Sequence, residues 1–283
     1  MTPPAPPAAP LRADCIGDSA GGLTFDVAAR RNTGAALLVL RRRVTDAVGA
    51  ADSAADTVSL PLAPAAEGRL RAALPSSVSL PEGRWDAYAR LSDGRPRRLV
   101  PGVTDLRSLA ERTPSGLLGH VAVRIPYATR QGNLTVRSWL RAPHAEAVEL
   151  RLASGGLTVR GRVYGTQLVP GADAELRARP DDGEGGRGGG GVRRLEVAAE
   201  RTEFAFTVAY DGLAPGLWDL WLRPAGDAGP VVRLARLLDD VADKNPVLTF
   251  PRARVRTPHG PVEAGPYYTR DNDLSLAVAP LEA

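Results

Sequence analysis

An eleven-residue block occurs twice in this chain. Residues 80–90, LPEGRWDAYAR, return at 213–223 as LAPGLWDLWLR. A second block, PYATR at 126–130 followed by Leu134-Thr135, returns as PYYTR at 266–270 followed by Leu274-Ser275. The two copies lie 133 residues apart for the first block and 140 for the second. Self-similarity at so long a period indicates two tandem copies of one structural module.

Short runs of alternating apolar and polar residues indicate that each copy is built from β-strands. Such runs lie at 23–27, 134–140, 157–164 and 204–208, and Gly, Pro, Asp and Asn separate them. Many short strands at regular spacing are typical of β-sandwiches. The sequence therefore predicts an all-β fold of two tandem immunoglobulin- or fibronectin-like antiparallel β-sandwiches, which arose by an internal duplication.

The repeats also suggest domain limits. We expect a disordered Pro/Ala-rich leader over 1–14, a first module over 15–132 and a second over 133–283. A Leu-Thr pair at 23–24 and again at 134–135 is interpreted as the opening strand of each module, and Leu274-Ser275 as the strand that closes the second. The insertion at 183–191 consists almost entirely of Gly and is predicted to be a flexible loop.

Composition narrows the class of protein. Hydrophobic residues make up 43% and charged residues 24%, as in globular proteins. The net charge is only +4 and acidic residues are interspersed, so no nucleic-acid partner is expected. Lys244 is the one lysine among 36 basic residues, a bias that suggests a GC-rich, actinobacterial genome. No run approaches the roughly 18 apolar residues of a spanning helix, so we expect no transmembrane segment and a cytoplasmic location.

Within the eleven-residue block, alternation divides the side chains between two faces of a strand. Trp85, Ala87 and Ala89, matched by Trp218, Leu220 and Leu222, are predicted to be core. The opposite face carries the candidate ligand-binding residues Asp86, Tyr88 and Arg90 in the first copy and Asp219, Trp221 and Arg223 in the second. An aromatic ring flanked by a carboxylate and a guanidinium suits a sugar or a phosphate. In the alternative interpretation, the ring packs beneath neighbouring groups while Asp and Arg pair across it.

Patterns associated with enzymes are weak in this chain. Ser19 lies in a G-x-S-x-G pattern, but the nucleophile elbow needs a helix after it, and a strand-like run follows here, which favours a turn. A G-x-G-x-x-G pattern at 183–188 precedes a strand rather than the required helix. The three histidines lack metal-ligand spacing, and Lys244 is the one candidate for Schiff-base chemistry. We therefore predict no catalytic residue, no metal and no cofactor.

The paired G-x-W-D-x-[Y/W]-x-R blocks and the Pro-Tyr-x-Thr-Arg turns resemble the accessory immunoglobulin-like β-sandwich regions of actinobacterial cell-surface glycopolymer transferases of the wall-teichoic-acid type. The resemblance implies a cytoplasmic protein, peripheral to the inner face of the membrane, that serves envelope glycopolymer assembly. Its implied partners are a glycosyl- or glycerophospho-transferase and the polymer. The nucleotide-sugar domain of such transferases has no counterpart in these residues, so no catalytic residue carries over.

Three functions follow as hypotheses. The first is a non-catalytic protein that holds polymer or a partner transferase, with Tyr88, Arg90, Trp221 and Arg223 as contacts. The second is a pure interaction module that forms homo-oligomers or docks a partner through strand edges. The third is an enzyme, either a transferase acting on a cell-surface glycopolymer or an esterase.

Overall fold

The computed structural model describes residues 10–29, 34–43, 56–92, 94–110, 112–114, 119–180 and 191–281. Over these residues the secondary structure is almost entirely β, which confirms the predicted all-β, sandwich-like fold class. The chain divides into two compact units. The first holds residues 1–113, 122–140 and 238–242, and the second holds residues 114–121, 141–237 and 243–283. No helix in the described part is long and apolar enough to cross a bilayer.

The first unit contains ten described strands, one short α-helix, α1 (Arg107–Ala110), and one 3₁₀ helix at Ala66–Gly68. The strands are β1 (Leu11–Gly17), β2 (Leu23–Ala28), β3 (Leu37–Arg42), β4 (Thr57–Pro61), β5 (Ala63–Ala65), β6 (Arg69–Leu74), β7 (Gly83–Arg90), β8 (Pro96–Asp105), β9 (Val121–Ala128) and β10 (Leu134–Arg141). Their order is β4-β3-β7-β8-β1-β2-β6-β5, and β10 pairs with both β7 and β9.

The second unit contains eleven described strands. They are β11 (His144–Ala153), β12 (Gly156–Tyr164), β13 (Asp173–Ala178), β14 (Val192–Glu196), β15 (Ala198–Glu200), β16 (Glu203–Ala209), β17 (Gly216–Arg223), β18 (Val232–Ala235), β19 (Ala253–Thr257), β20 (Gly260–Tyr268) and β21 (Leu274–Pro280). The pairings give the path β14-β13-β17-β18-β11-β12-β16-β15, with β21 beside both β17 and β20.

One strand order therefore describes both units. The repeated eleven-residue block forms β7 in the first unit and β17 in the second, and the repeated turn block forms the end of β9 and β10, then of β20 and β21. A shared order is what duplication of one module would produce. The duplication itself remains an interpretation.

Each unit has two layers of strands, and one strand belongs to both. Residues Pro96–Arg98 of β8 pair with β7, and its remaining length pairs with β1. In the second unit β18 pairs with β17 and with β11 in the same way. The β1–β8 and β11–β18 pairs are parallel, so the sheets are mixed and not antiparallel throughout.

The core of each unit centres on the predicted tryptophan. Trp85 is fully buried and Trp218 nearly so, together with the alternate residues that follow each of them along its strand. Both indole N–H groups donate to the carbonyl four residues earlier, Pro81 and Ala214, at 3.0 Å. A buried indole needs such a partner, and Pro81 and Ala214 lie in the repeated block as well.

The domain limits differ from the predicted ones. Strand β1 begins at Leu11, so the leader expected over 1–14 does not extend through residue 14; residues 1–9 lie outside the described part. Strand β10 pairs with β7 and so completes the first unit, whereas Leu134-Thr135 was expected to open the second. Its counterpart is Leu274-Ser275 in β21, not Leu23-Thr24. Of the predicted glycine-rich loop at 183–191, the structure describes Gly191 alone.

Candidate functional site

Asp86 holds three strands of the first unit together on the outward face of β7. Its carboxylate lies 2.7 Å from the Arg43 guanidinium and 2.6 Å from that of Arg98. The Thr135 hydroxyl donates to the same oxygen at 2.9 Å. Arg98 also donates to the Thr135 hydroxyl and to the carbonyls of Leu134 and Ala87. This Asp86 cluster therefore joins β7, β8 and β10 with the end of β3.

Tyr88, two residues further along β7, lies among arginine side chains. The Arg98 guanidinium lies 4.9 Å from the ring centroid and that of Arg41 lies 5.5 Å from it. The two arginines come from β8 and β3, the strands on either side of β7. Cation–π contacts of this kind use the ring face that a sugar would need.

The second unit repeats this arrangement around Asp219. Arg179 lies 2.5 Å from the carboxylate and Arg233 lies 2.7 Å from it. The Ser275 hydroxyl donates to Asp219 at 3.0 Å, and Arg233 donates to Ser275 at 2.8 Å. This Asp219 cluster therefore matches the Asp86 cluster bond for bond in its acid, its two arginines and its hydroxyl.

The Trp221 ring likewise has guanidinium groups over it. Arg177 of β13 lies 4.9 Å from the centroid and Arg233 of β18 lies 5.2 Å from it. Trp221 is half-buried, as is Tyr88. The contacts favour the packing interpretation for both aromatic rings and both aspartates, because their polar atoms and ring faces already have partners within the unit.

The electrostatics agree with a structural role for the aspartates. Burial opposes the ionisation of Asp86, but hydrogen bonds from Arg43 and Thr135 and the charge of Arg98 outweigh it and lower the pKa. Burial of Asp219 is outweighed in the same way by Arg179, Arg233 and Ser275, so its pKa is lowered too. A carboxylate with a depressed pKa stays charged at neutral pH and serves poorly as a proton donor.

The remaining candidates, Arg90 and Arg223, differ from each other. Arg223 is 15% exposed and lies 2.8 Å from the buried Glu175 carboxylate. Arg90 is exposed and makes no ion pair with a described residue. The six candidates thus form two separate sets of three, one in each unit, and Arg90 is the most accessible of them.

Sequence reasoning missed the partners that complete each cluster. Arg98 and Arg233 lie in a third, shorter repeat, Arg-Leu-Val at 98–100 and Arg-Leu-Ala at 233–235. Thr135 and Ser275 lie in the Leu-Thr/Ser repeat that had been noted only as a strand signal. The polar residues that these short repeats have in common could have indicated that each unit contains an ion-pair network of the same kind.

The second unit also presents an open groove with a volume of about 670 Å³ beside strands β11, β12, β15 and β16. Ligand sites commonly range from about 300 to 1,000 Å³. Its rim is charged, and two aromatic residues, Tyr164 and Phe204, belong to its lining. The lining residues that bear on recognition are Glu149, Arg160, Arg162, Tyr164, Glu200 and Glu203.

Tyr164 connects the groove to a buried pair. Its ring lies parallel to that of His144, with centroids 6.3 Å apart. His144 is almost fully buried, and its Nε2 lies 2.7 Å from Glu146, whose carboxylate also accepts the Leu237 N–H. Burial raises the pKa of Tyr164, so its hydroxyl stays protonated at neutral pH.

The enzyme patterns have structural explanations where the structure describes them. Ser19 lies exposed in the turn between antiparallel β1 and β2, and Asp18 closes that turn by accepting the N–H groups of Ala20 and Gly22. A hairpin turn is not the strand-to-helix bend of a nucleophile elbow. Lys244 is fully buried. The described residues contain no group of three or more His, Cys, Asp and Glu that could hold a metal ion, and the 183–188 pattern lies outside them.

No protein-family model matches the chain, and a search of curated proteins finds no match.

Proposed function

We propose that this chain is a non-catalytic binding protein for a cell-envelope glycopolymer of the teichoic-acid type, and that it presents the polymer to a membrane-associated glycosyl- or glycerophospho-transferase. The resemblance at the repeated blocks suggests a role in the assembly of such a glycopolymer. The groove of the second unit is the structural observation that supports binding of the polymer.

The groove offers the side chains that a saccharide needs. Tyr164 supplies a half-buried ring that lies nearly parallel to the His144 ring, with centroids 6.3 Å apart. Carboxylates and guanidinium groups are planar and make paired hydrogen bonds, which suits neighbouring hydroxyls of a sugar. Arg162 is already paired with Glu203 at 2.5 Å, whereas Glu200 is exposed and makes no ion pair with a described residue. We therefore expect a ligand to contact the face of the Tyr164 ring and the carboxylate of Glu200.

Retention of the protein on purified, glycosylated poly(ribitol phosphate) tests the proposal by affinity electrophoresis. Tyr164→Ala and Glu200→Gln should each weaken retention by about tenfold, since a stacking or paired hydrogen-bond contact contributes roughly 1–2 kcal/mol. Glu196→Gln is the matched control, because Glu196 is an exposed strand residue outside the groove. It should behave as wild type.

Two results would count against the proposal. Wild-type retention by both groove variants would remove the groove as the binding site. Absence of any retention of the wild-type protein, together with stable assemblies in light scattering, would favour the pure interaction module.

A further inference from the structure

Each unit contains a cluster of the same kind, but the charges around the two clusters differ. In the second unit Glu175 lies directly opposite Trp221 in the β13–β17 register and is 4% exposed. It lies 2.7 Å from Arg177 and 2.8 Å from Arg223. A single buried carboxylate thus neutralises the arginines on both sides of the aromatic ring.

The first unit lacks this carboxylate. The residue opposite Tyr88 in the β3–β7 register is Val39. The equivalents of Arg177 and Arg223 are Arg41 and Arg90, and neither makes an ion pair with a described residue. The Nε of Arg41 is buried and has no hydrogen-bond partner among the described residues. Arg41 as a whole is half-buried, so a phosphate would be met by the rest of its guanidinium rather than by this buried Nε.

The two outward faces differ in their balance of carboxylates and guanidinium groups. On the outward face of β3, β7 and the paired part of β8, Asp86 is the one described carboxylate. The guanidinium groups there are those of Arg41, Arg43, Arg84, Arg90 and Arg98. On the corresponding strands of the second unit, β13, β17 and the paired part of β18, there are three described carboxylates: Asp173, Glu175 and Asp219. Glu175 and Asp219 lie within ion-pair distance of the arginines beside the ring, Arg177, Arg179, Arg223 and Arg233.

The geometry of the first unit's excess charge suits a chain of anions. Arg84 and Arg90 lie on one side of the same strand, six residues apart, which is about 20 Å in a β-strand. Arg41 lies between them on the neighbouring strand, beside Tyr88. Guanidinium groups bind phosphate through paired hydrogen bonds. A row of this length exceeds one phosphate group and fits several in sequence.

We propose that the outward face of the first unit, formed by Arg41, Arg84 and Arg90 around Tyr88, binds the phosphodiester backbone of a glycopolymer, a site that the second unit has lost through Glu175. The inference rests on the proposed function and adds a second contact for the same polymer. Single-stranded nucleic acid fits less well, since its binding relies on bases stacking on open aromatic rings. The Tyr88 ring already lies beneath Arg41 and Arg98.

The test is titration calorimetry of the full chain with unglycosylated poly(glycerol phosphate), which lacks the sugar that the groove would bind. Arg41→Gln/Arg90→Gln should weaken binding about tenfold or more and reduce the slope of log K against log salt by about 1.4, at about 0.7 for each lost phosphate contact. Arg107→Gln/Arg254→Gln removes the same net charge at exposed sites, 88% and 76% accessible, and should change little.

A second variant guards against an effect on folding. Val39→Glu places in the first unit the carboxylate that the second unit tolerates at 4% exposure. It should pair with Arg41 and Arg90 and weaken binding to the same extent. Circular dichroism and urea unfolding identify a variant that has lost its fold.

The outcomes separate this inference from the proposed function. Unchanged binding by Arg41→Gln/Arg90→Gln, or an equal loss in Arg107→Gln/Arg254→Gln, overturns the inference. So does tighter binding of oligothymidylate or of phosphatidylglycerol vesicles, which would assign the face to nucleic acid or to a membrane. Loss of glycosylated-polymer retention in Tyr164→Ala alone would leave the proposed function standing without this site.

Discussion

Replacing Asp219 by Asn should destabilise the second unit strongly. The change preserves size but removes the charge that Arg179 and Arg233 share. Arg233 is 9% exposed, so its guanidinium cannot turn fully to water when the carboxylate is lost. Asp273, 3.6 Å away, would then be the one carboxylate left beside Arg233, and a poorly paired charge is costly in a protein interior.

The magnitude follows from the contacts. Breaking one partner of a fully buried pair costs about 3–5 kcal/mol, and the Asp219 side chain is 21% exposed, so we expect about 2–4 kcal/mol. With a urea m-value of about 2 kcal/mol per molar, the unfolding midpoint should fall by about 1–2 M. Trp218 and Trp221 lie in this unit and report its unfolding by fluorescence.

The effect should depend on pH with a definite sign. Because the folded-state pKa of Asp219 lies below its ordinary value, its contribution is complete above the unfolded pKa of about 3.9. It is lost as the pH falls through the folded pKa. The difference between wild type and Asp219→Asn should therefore be constant near neutral pH and shrink below about pH 4.

Two variants serve as controls. Asp86→Asn should act in the first unit as Asp219→Asn does in the second, because the contacts match. Asp227→Asn alters a 71% exposed carboxylate and should leave the midpoint unchanged. Equal midpoints for wild type and Asp219→Asn at pH 7 would refute the view that the cluster stabilises the unit.

Three further predictions concern single positions. Burial raises the pKa of Cys15 to about 12, so its thiol should resist Ellman's reagent at pH 8 until urea unfolds the protein; rapid native-state labelling would contradict this. Ser19→Ala should leave stability unchanged, whereas Asp18→Ala should cost about 1 kcal/mol in a urea titration by leaving two turn N–H groups without their acceptor. Gly161→Ala should cost about 1–3 kcal/mol because a Cβ there would lie 2.3 Å from a backbone oxygen and from the Phe204 ring, and a wild-type melting curve would show that the strands shift freely.

Local sequence patterns predicted the features that depend on one strand alone. Alternation in the repeated block identified Trp85 and Trp218 as core and Asp86 and Asp219 as outward-facing, because side chains on a strand alternate between faces whatever lies beside it. The all-β class followed from the same signal. Strand order, the parallel β1–β8 pair and the assignment of β10 depend on pairing between distant segments, and no local pattern specifies that.

The sequence predicted which residue types lie on the outward faces of β7 and β17, but not which side chains surround them. Tyr88 and Trp221 have aromatic rings of the kind on which a ligand could stack. The arginines that cover these rings come from neighbouring strands, whose positions the sequence did not predict. The difference between Val39 and Glu175 became meaningful only once register put both opposite the aromatic ring. The groove beside Tyr164 is formed by four strands and has no sequence signature.

The matching bonds of Thr135 and Ser275 carry a consequence for refolding. Strands β10 and β21 present a hydroxyl to the same kind of carboxylate, so we expect β7 and β17 to discriminate poorly between the two strands during folding. Tandem repeats misassemble through this kind of exchange. Asp273, which immediately precedes β21 and lies 3.6 Å from Arg233, distinguishes the two strands, because the uncharged Asn133 stands at the matching place before β10.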